Sequence, residues 1–176
     1  MSDSKNLIAY FSRTGKNYVG GKIVNLPIGN TEVVAKKIQT IMGGDLFQIK
    51  TVTPYPDDYT DATQVAQDEK QKNARPELTD SVKHMDSYEL IYLGYPNWWG
   101  TIPMAICTFL EAYDFTGKTI IPFCTHEGSG MGNSERDIKK LCPNAKMLSG
   151  LPIQGGSVDK ADKDILDWLK KLDLIS

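Results

Sequence analysis

The chain has little of what marks the commoner catalytic and scaffold classes. Histidine occurs twice, at His84 and His126, and cysteine three times, at Cys107, Cys124 and Cys142. The cysteines are far apart, odd in number and without a C-x-x-C pair. That excludes a disulfide framework and a thiolate zinc site, and the three are expected to be structural thiols. No apolar run approaches the ~20 residues of a membrane-spanning helix. No apolar stretch of leader length follows the polar start, Met1 to Asn6, so the cytoplasm is the default expectation. An excess of positive charge is also missing. Lys and Arg number 20 against 22 Asp and Glu, a net charge of −2, which leaves no electrostatic footprint for nucleic acid.

What is present is regular. The 176 residues, 40% hydrophobic and 24% charged, suit one globular domain spanning 1–176. Leu7-Ile8-Ala9-Tyr10-Phe11 is a continuous apolar run, the mark of a strand buried on both faces. From Thr31 the period becomes helical, with Val34, Ile38, Ile41 and Met42 on one face, and Gly43-Gly44 stops it. Further strands are expected at Leu46–Ile49, Leu90–Gly94 and Thr119–Cys124, with a short one near Met147-Leu148. Helices are expected over 61–72 on the surface, from Ile102 to Tyr113, over 134–141 and from Val158 to Leu172. Such alternation predicts a doubly wound parallel sheet. Ligands of such sheets sit outside the carboxyl ends of the strands, at the switch point. The loops after the first, third and fourth strands therefore carry the functional reading.

The first loop is Ser12-Arg13-Thr14-Gly15, then a Gly/Asn-rich stretch to Gly29 that reads as an insertion, then Gly29-Asn30-Thr31 opening a helix. A helix N-terminus offers free N–H groups and the positive end of a dipole. Hydroxyls of Ser12, Thr14 and Thr31 would complete a phosphate pocket that needs few cations. The plainer alternative is that Asn30 caps the helix and the hydroxyls populate a turn. The other nucleotide fingerprints fail. Gly117-Lys118-Thr119 has Ala112 where a Walker loop needs glycine, and Gly128-Ser129-Gly130 meets Asn133 where a dinucleotide fold needs its last glycine.

The third strand runs out into Tyr95-Pro96-Asn97-Trp98-Trp99-Gly100. Adjacent loop tryptophans cannot both be buried in a small core, so one at least is expected against a flat ligand or a partner. A planar isoalloxazine ring suits that place, with backbone groups of Asn97 to Gly100 at its edge; the alternative is that both indoles pack under the loop. After the fourth strand, Thr125-His126-Glu127-Gly128-Ser129-Gly130-Met131-Gly132 lets backbone N–H groups approach a ligand closely. His126 beside Ser129 does not make a hydrolase, because no Gly-x-Ser-x-Gly elbow is present.

These three loops, in this order on three strand ends, resemble the flavodoxin-like fold family over essentially the whole chain. They are most similar to bacterial flavodoxin-related FMN-binding proteins with a split phosphate loop. The resemblance implies a five-stranded parallel sheet of order 2-1-3-4-5, helices on both faces, and non-covalently bound FMN. It places the phosphate at Ser12, Thr14, Asn30 and Thr31, with Arg13, Lys16 and Asn17 near the cofactor because the loop is split. It places the ring against Pro96, Asn97, Trp98, Trp99, Thr125, Gly128 and Gly132, and Gly100, His126 and Glu127 of the same loops are further candidates for the cofactor site. No catalytic side chain and no metal ligand is implied. Three functions follow. The first is electron transfer to a redox partner protein or a small-molecule acceptor, as monomer or homodimer. The second is an NAD(P)H-dependent, quinone reductase-like FMN oxidoreductase, in which His126, Tyr95 or Tyr55 serves. The third is a non-redox binding module on the same fold. A net charge of −2 departs from the strongly acidic surface of carrier flavodoxins.

Overall fold

The computed structural model describes residues 5–176; of the polar start read at Met1 to Asn6, the first four residues lie outside the described residues. In chain order, β1 (Lys5–Tyr10) leads into β2 (Gly15–Val19) and β3 (Lys22–Leu26), then α1 (Asn30–Met42) and β4 (Asp45–Gln48). α2 (Tyr59–Gln71), β5 (Tyr88–Pro96), α3 (Met104–Glu111) and β6 (Thr119–His126) follow. The chain closes with α4 (Ser134–Leu141), β7 (Lys146–Met147), β8 (Leu151–Gln154), a 3-10 turn over Gly155–Lys160 and α5 (Asp162–Lys171).

The main sheet runs β4-β1-β5-β6, with β7 and β8 in line along the far side of β6, and every pair in it is parallel. With β7 and β8 counted as one interrupted strand, and the β2-β3 hairpin set apart, this is the expected order 2-1-3-4-5. Successive side chains of a strand leave on opposite faces, and both faces are covered. Leu7 and Ala9 of β1, Ile91 and Leu93 of β5 and Ile120 of β6 join Ile106, Phe109 and Ile138 of α3 and α4. Ile8, Tyr92 and Ile121 join Val34 and Ile38 of α1 and Ile165 and Leu169 of α5. That two-sided burial is why the strands read as unbroken apolar runs. Cys107, Cys124 and Cys142 are buried and unpaired, and burial pushes the Cys124 thiol up to about 12 and the Cys142 thiol up to about 11.

Four sequence expectations are sharpened. The insertion is a two-stranded antiparallel hairpin closed by Gly20-Gly21, both at positive φ, the backbone that a two-residue hairpin turn requires. α2 begins two residues early, because the Asp58 carboxylate caps it by accepting the Asp61 N–H at 3.0 Å. The fifth strand is longer than Met147-Leu148 suggests but broken. Its second half, Leu151–Gln154, pairs with Phe123–His126, and the gap falls near Pro122, which has no N–H for a ladder. Finally, Val158 lies in the 3-10 turn, and the closing α-helix starts only at Asp162.

Among the described residues no helix is long and apolar enough to cross a membrane. Neighbouring strands approach closely at Gly94, where an added Cβ would lie 2.2 Å from the Phe123 ring. Gly94→Ala is therefore expected to overpack the sheet and cost about 1–3 kcal/mol, read as a lower urea midpoint; an unchanged midpoint would show that the ring moves aside freely.

Candidate flavin cleft

The carboxyl ends of β1, β5, β6 and β8 converge on one edge of the sheet. Hydrogen bonds continue the ladders past the strand ends, with the Phe11 N–H on the Gly94 carbonyl at 2.9 Å and the Asn97 N–H on the Thr125 carbonyl at 2.8 Å. The loops therefore leave from fixed positions. A cleft of about 110 Å³ between them is lined by Arg13, Asn17, Tyr18, Leu26, Asn30, Thr31, Tyr59, Pro96, Asn97, Trp98, Thr125, His126, Glu127 and Gly155. It adjoins a hollow of about 390 Å³ that shares Arg13, Asn17, Tyr59, Asn97 and Trp98 and adds Ala62, Thr63, Ala66 and Trp99. The larger hollow is within the size range of small-molecule sites.

At one end stands the N-terminus of α1. Gly29 is its cap residue and Asn30 makes no side-chain cap, so the reading of Asn30 as helix cap is not what the structure shows. Ser12 does that work: its Oγ accepts the Glu32 N–H at 3.1 Å. The split loop is rejoined by close approach, since a Cβ on Gly29 would lie 2.1 Å from Ser12 Oγ and 2.7 Å from the Arg13 carbonyl. Thr31 is buried, and its hydroxyl pairs with that of Thr125 at 2.8 Å, tying the start of α1 to the end of β6. Arg13 is spent on structure. Its guanidinium donates to the Pro56 and Asp57 carbonyls at 2.7 and 2.8 Å, to Asn17 Oδ1 at 3.2 Å and to the Lys16 carbonyl. Burial lowers its pKa from the usual arginine value. Thr14 is exposed and lines a separate depression with Lys50, Thr51 and Pro54. It stands outside the cleft that holds Asn30 and Thr31.

At the other end the aromatic loop turns sharply. Trp98 and Thr101 exchange backbone hydrogen bonds across Trp99 and Gly100, both at positive φ. The two indoles part company as a result. Trp98 is half-buried, edge-on to Phe11 and Tyr55 at centroid distances of 5.1 and 5.0 Å, and walls both hollows. Trp99 is 46% exposed and is tied to α2. Its Nε1 donates to the Thr63 carbonyl at 3.0 Å, and its own carbonyl accepts from Lys70 Nζ at 2.6 Å. Asn97 welds the loops after β5 and β6, accepting the Gly100 N–H at 2.9 Å and donating to the Gly130 carbonyl at 2.8 Å. Gly132 belongs to that weld, because a Cβ there would meet the Gly100 carbonyl at 2.3 Å. Gly100, Gly128 and Gly132 shape the loops and do not line either hollow.

His126 accepts the Gly128 N–H through Nδ1 at 2.9 Å, which leaves Nε2 as the protonated nitrogen of the neutral ring. Glu127 Oε2 accepts the Gly20 N–H of the hairpin tip at 3.1 Å. Tyr95 is wholly buried on Ser134 Oγ at 2.9 Å, so its assignment as a reacting group does not stand. Tyr55 is likewise committed, to Glu69 at 2.7 Å, and burial drives its phenol far up.

The comparisons agree with this architecture. The flavodoxin sequence profile matches residues 5–172. The chain belongs to the flavodoxin family. A structure of a protein from Bacteroides eggerthii DSM 20697 assigned as a flavoprotein is 31% identical, with a TM-score of 0.75 over 94% of this chain and 97% of that one. A flavoprotein of Lactobacillus acidophilus NCFM in complex with FMN is 20% identical, with a TM-score of 0.66 over 94% and 98%. A Fusobacterium nucleatum flavodoxin bound to FMN is 14% identical, with a TM-score of 0.56 over 96% of each. The search of curated proteins finds no match.

The hairpin residues Tyr18 and Leu26, Tyr59, Ala62 and Ala66 of α2, and Gly155 escaped the sequence reading. Two signals pointed to them: Gly20-Gly21 between alternating runs, and alanines four apart on one helical face. Burial lowers the His126 pKa from 6.5, with Glu127 opposing. The unfolded chain therefore takes up this proton first, and stability falls as pH drops below about 6.5. Urea unfolding at pH 7.5 and 5.5 should show this loss in the wild type and a smaller one in His126→Gln; equal losses would place the proton elsewhere.

Proposed function

We propose that this flavodoxin-family chain binds FMN non-covalently in the cleft and serves in electron transfer. The observation that carries this is a pair of adjoining hollows that share Asn97 and Trp98 and have two chemically distinct ends. The phosphate end has the first turn of α1 with its unshared N–H groups, the Asn30 amide and the Thr31–Thr125 hydroxyl pair, with Ser12 setting the turn. The ring end has the half-buried Trp98 with Pro96 and Asn97. The donor set fits a phosphate monoester and the aromatic wall fits a planar ring, so the residues present fit FMN. Bound FMN supplies the redox chemistry, and the protein supplies orientation and electrostatics. Asn97 and the Gly100–Gly132 contact hold the ring-side loops rigid. His126 offers a neutral Nε2–H at the cleft wall.

The carrier reading is supported by two of the three candidate proton-moving groups, Tyr95 and Tyr55, being buried or committed, whereas His126 keeps its Nε2–H at the cleft wall. One observation favours the reductase: the 390 Å³ hollow has the exposed Trp99 at its rim, which gives a quinone-sized molecule a place to reach the ring. Turnover of NAD(P)H with a quinone acceptor would select the reductase, and its absence would select the carrier.

The absorption spectrum tests the shared part. The protein reconstituted with FMN is expected to be yellow, and a chain that stays colourless with added FMN would sink both redox readings. Thr31→Val is expected to weaken FMN by roughly tenfold and riboflavin, which lacks the phosphate, much less. Equal losses would remove the phosphate from α1.

A further inference from the structure

The inserted hairpin leaves the split loop at Gly15, crosses the cleft and lands on the opposite wall. Its base is pinned by the Arg13 guanidinium to the Pro56 and Asp57 carbonyls. Midway, Tyr18 stacks on Tyr59 of α2, with centroids 6.0 Å apart and planes at 27°. Its tip rests on little. The Gly20 N–H donates to Glu127 Oε2 at 3.1 Å at an exposed position, and the Val19 side chain lies 3.9 Å from where a Cβ on Gly156 would stand. Beneath the tip the wall is closed, since a Cβ on Gly155 would lie 2.3 Å from Glu127 Oε1 and 2.7 Å from Asn30 Nδ2.

We propose that the hairpin is a strap latched by Glu127 over the phosphate end of the cleft. The latch sets how fast the flavin leaves, and it selects a phosphate monoester over a dinucleotide. The inference rests on the FMN reading above and deepens it. Glu127 is then a positioning residue that acts through the hairpin. The physical argument is one of geometry. A strap fixed at its base, stacked midway through Tyr18 and held at its tip by one charge-assisted hydrogen bond has its tip freed when that bond opens. Asn30 and Glu127 pack on Gly155 with no room for a methyl group, so on this proposal an adenylate fits beyond the phosphate only once the tip has lifted.

Three variants test it in the whole chain reconstituted with FMN. Glu127→Ala is expected to release FMN about tenfold faster and to narrow the preference for FMN over FAD. Glu127→Gln keeps an oxygen that accepts the Gly20 N–H but loses the charge assistance, and is expected to release FMN at a rate between those of wild type and Glu127→Ala. The pair Val19→Cys and Gly156→Cys, oxidised, is expected to slow release at least tenfold and to recover on reduction. Equal release from wild type and Glu127→Ala would overturn the strap, as would equal release from the oxidised and reduced pair. Tighter FMN binding by both Glu127 variants would overturn it too, by showing that Glu127 acts through its charge on the phosphate. Amide exchange at Gly20 to Lys22, without flavin, separates this from the cofactor reading. Faster exchange in Glu127→Ala supports the latch even if FMN does not bind, and unchanged exchange refutes it even if FMN does.

Discussion

The cleft depends on β1, β5 and β6 being buried on both faces. A strand with helices above and below has little place for polar side chains along its length, because an unpaired buried polar group costs about 1–3 kcal/mol. Polar chemistry is pushed to the strand ends, and in a parallel sheet the carboxyl ends of all the strands lie along one edge. The register continues past those ends through the Phe11–Gly94 and Asn97–Thr125 backbone bonds. The loops that carry Ser12, Asn97 and Thr125 are thus set by the same ladder that builds the core. The Thr31–Thr125 hydroxyl bond then fixes the start of α1 against the end of β6, so both ends of the cleft share one frame.

The insertion is compatible with this frame because it returns to its starting point. Ser12 and the Arg13 carbonyl meet Gly29 closely enough to exclude any side chain there, and Ser12 caps α1 as though no hairpin intervened. An antiparallel hairpin pairs its facing backbone groups within itself, so it adds mass beside the cleft without competing for the donors at α1. The Arg13 guanidinium, desolvated among carbonyls and Asn17, is what the insertion requires at its base. That accounts for an arginine in a phosphate loop that does not present it to the cleft as a free cation.

Much of this was legible in the sequence, and the unread remainder has physical causes. Continuous apolar runs report two-sided burial directly, so the strands and the three functional loops could be placed, while the strand order followed from the family resemblance. Contacts between loops leave no periodic trace. Nothing local in Thr14 distinguishes it from Ser12, yet one is exposed and the other caps a helix. Gly132 looks like a ligand-facing glycine and is instead required by the Gly100 carbonyl. The tryptophans are adjacent and chemically identical. The positive φ of Trp99 divides them, sending one indole toward Phe11 and Tyr55 and leaving the other on α2.

That positive φ explains the layout of the ring end. A bulky residue in the left-handed region is strained by about 1–3 kcal/mol. The Thr63 and Lys70 bonds to Trp99 offset the strain from outside the loop. A relaxed, wider turn would separate Asn97 from Gly100 and lift Gly100 off Gly132, and the weld between the β5 and β6 loops would be lost. The strain therefore holds the wall formed by Trp98 at a fixed distance from Thr125 and His126. α2, which joins no strand of the sheet, is the element that maintains it. A helix that reads as mere surface cover from its polar sequence is in this way a structural support of the cleft.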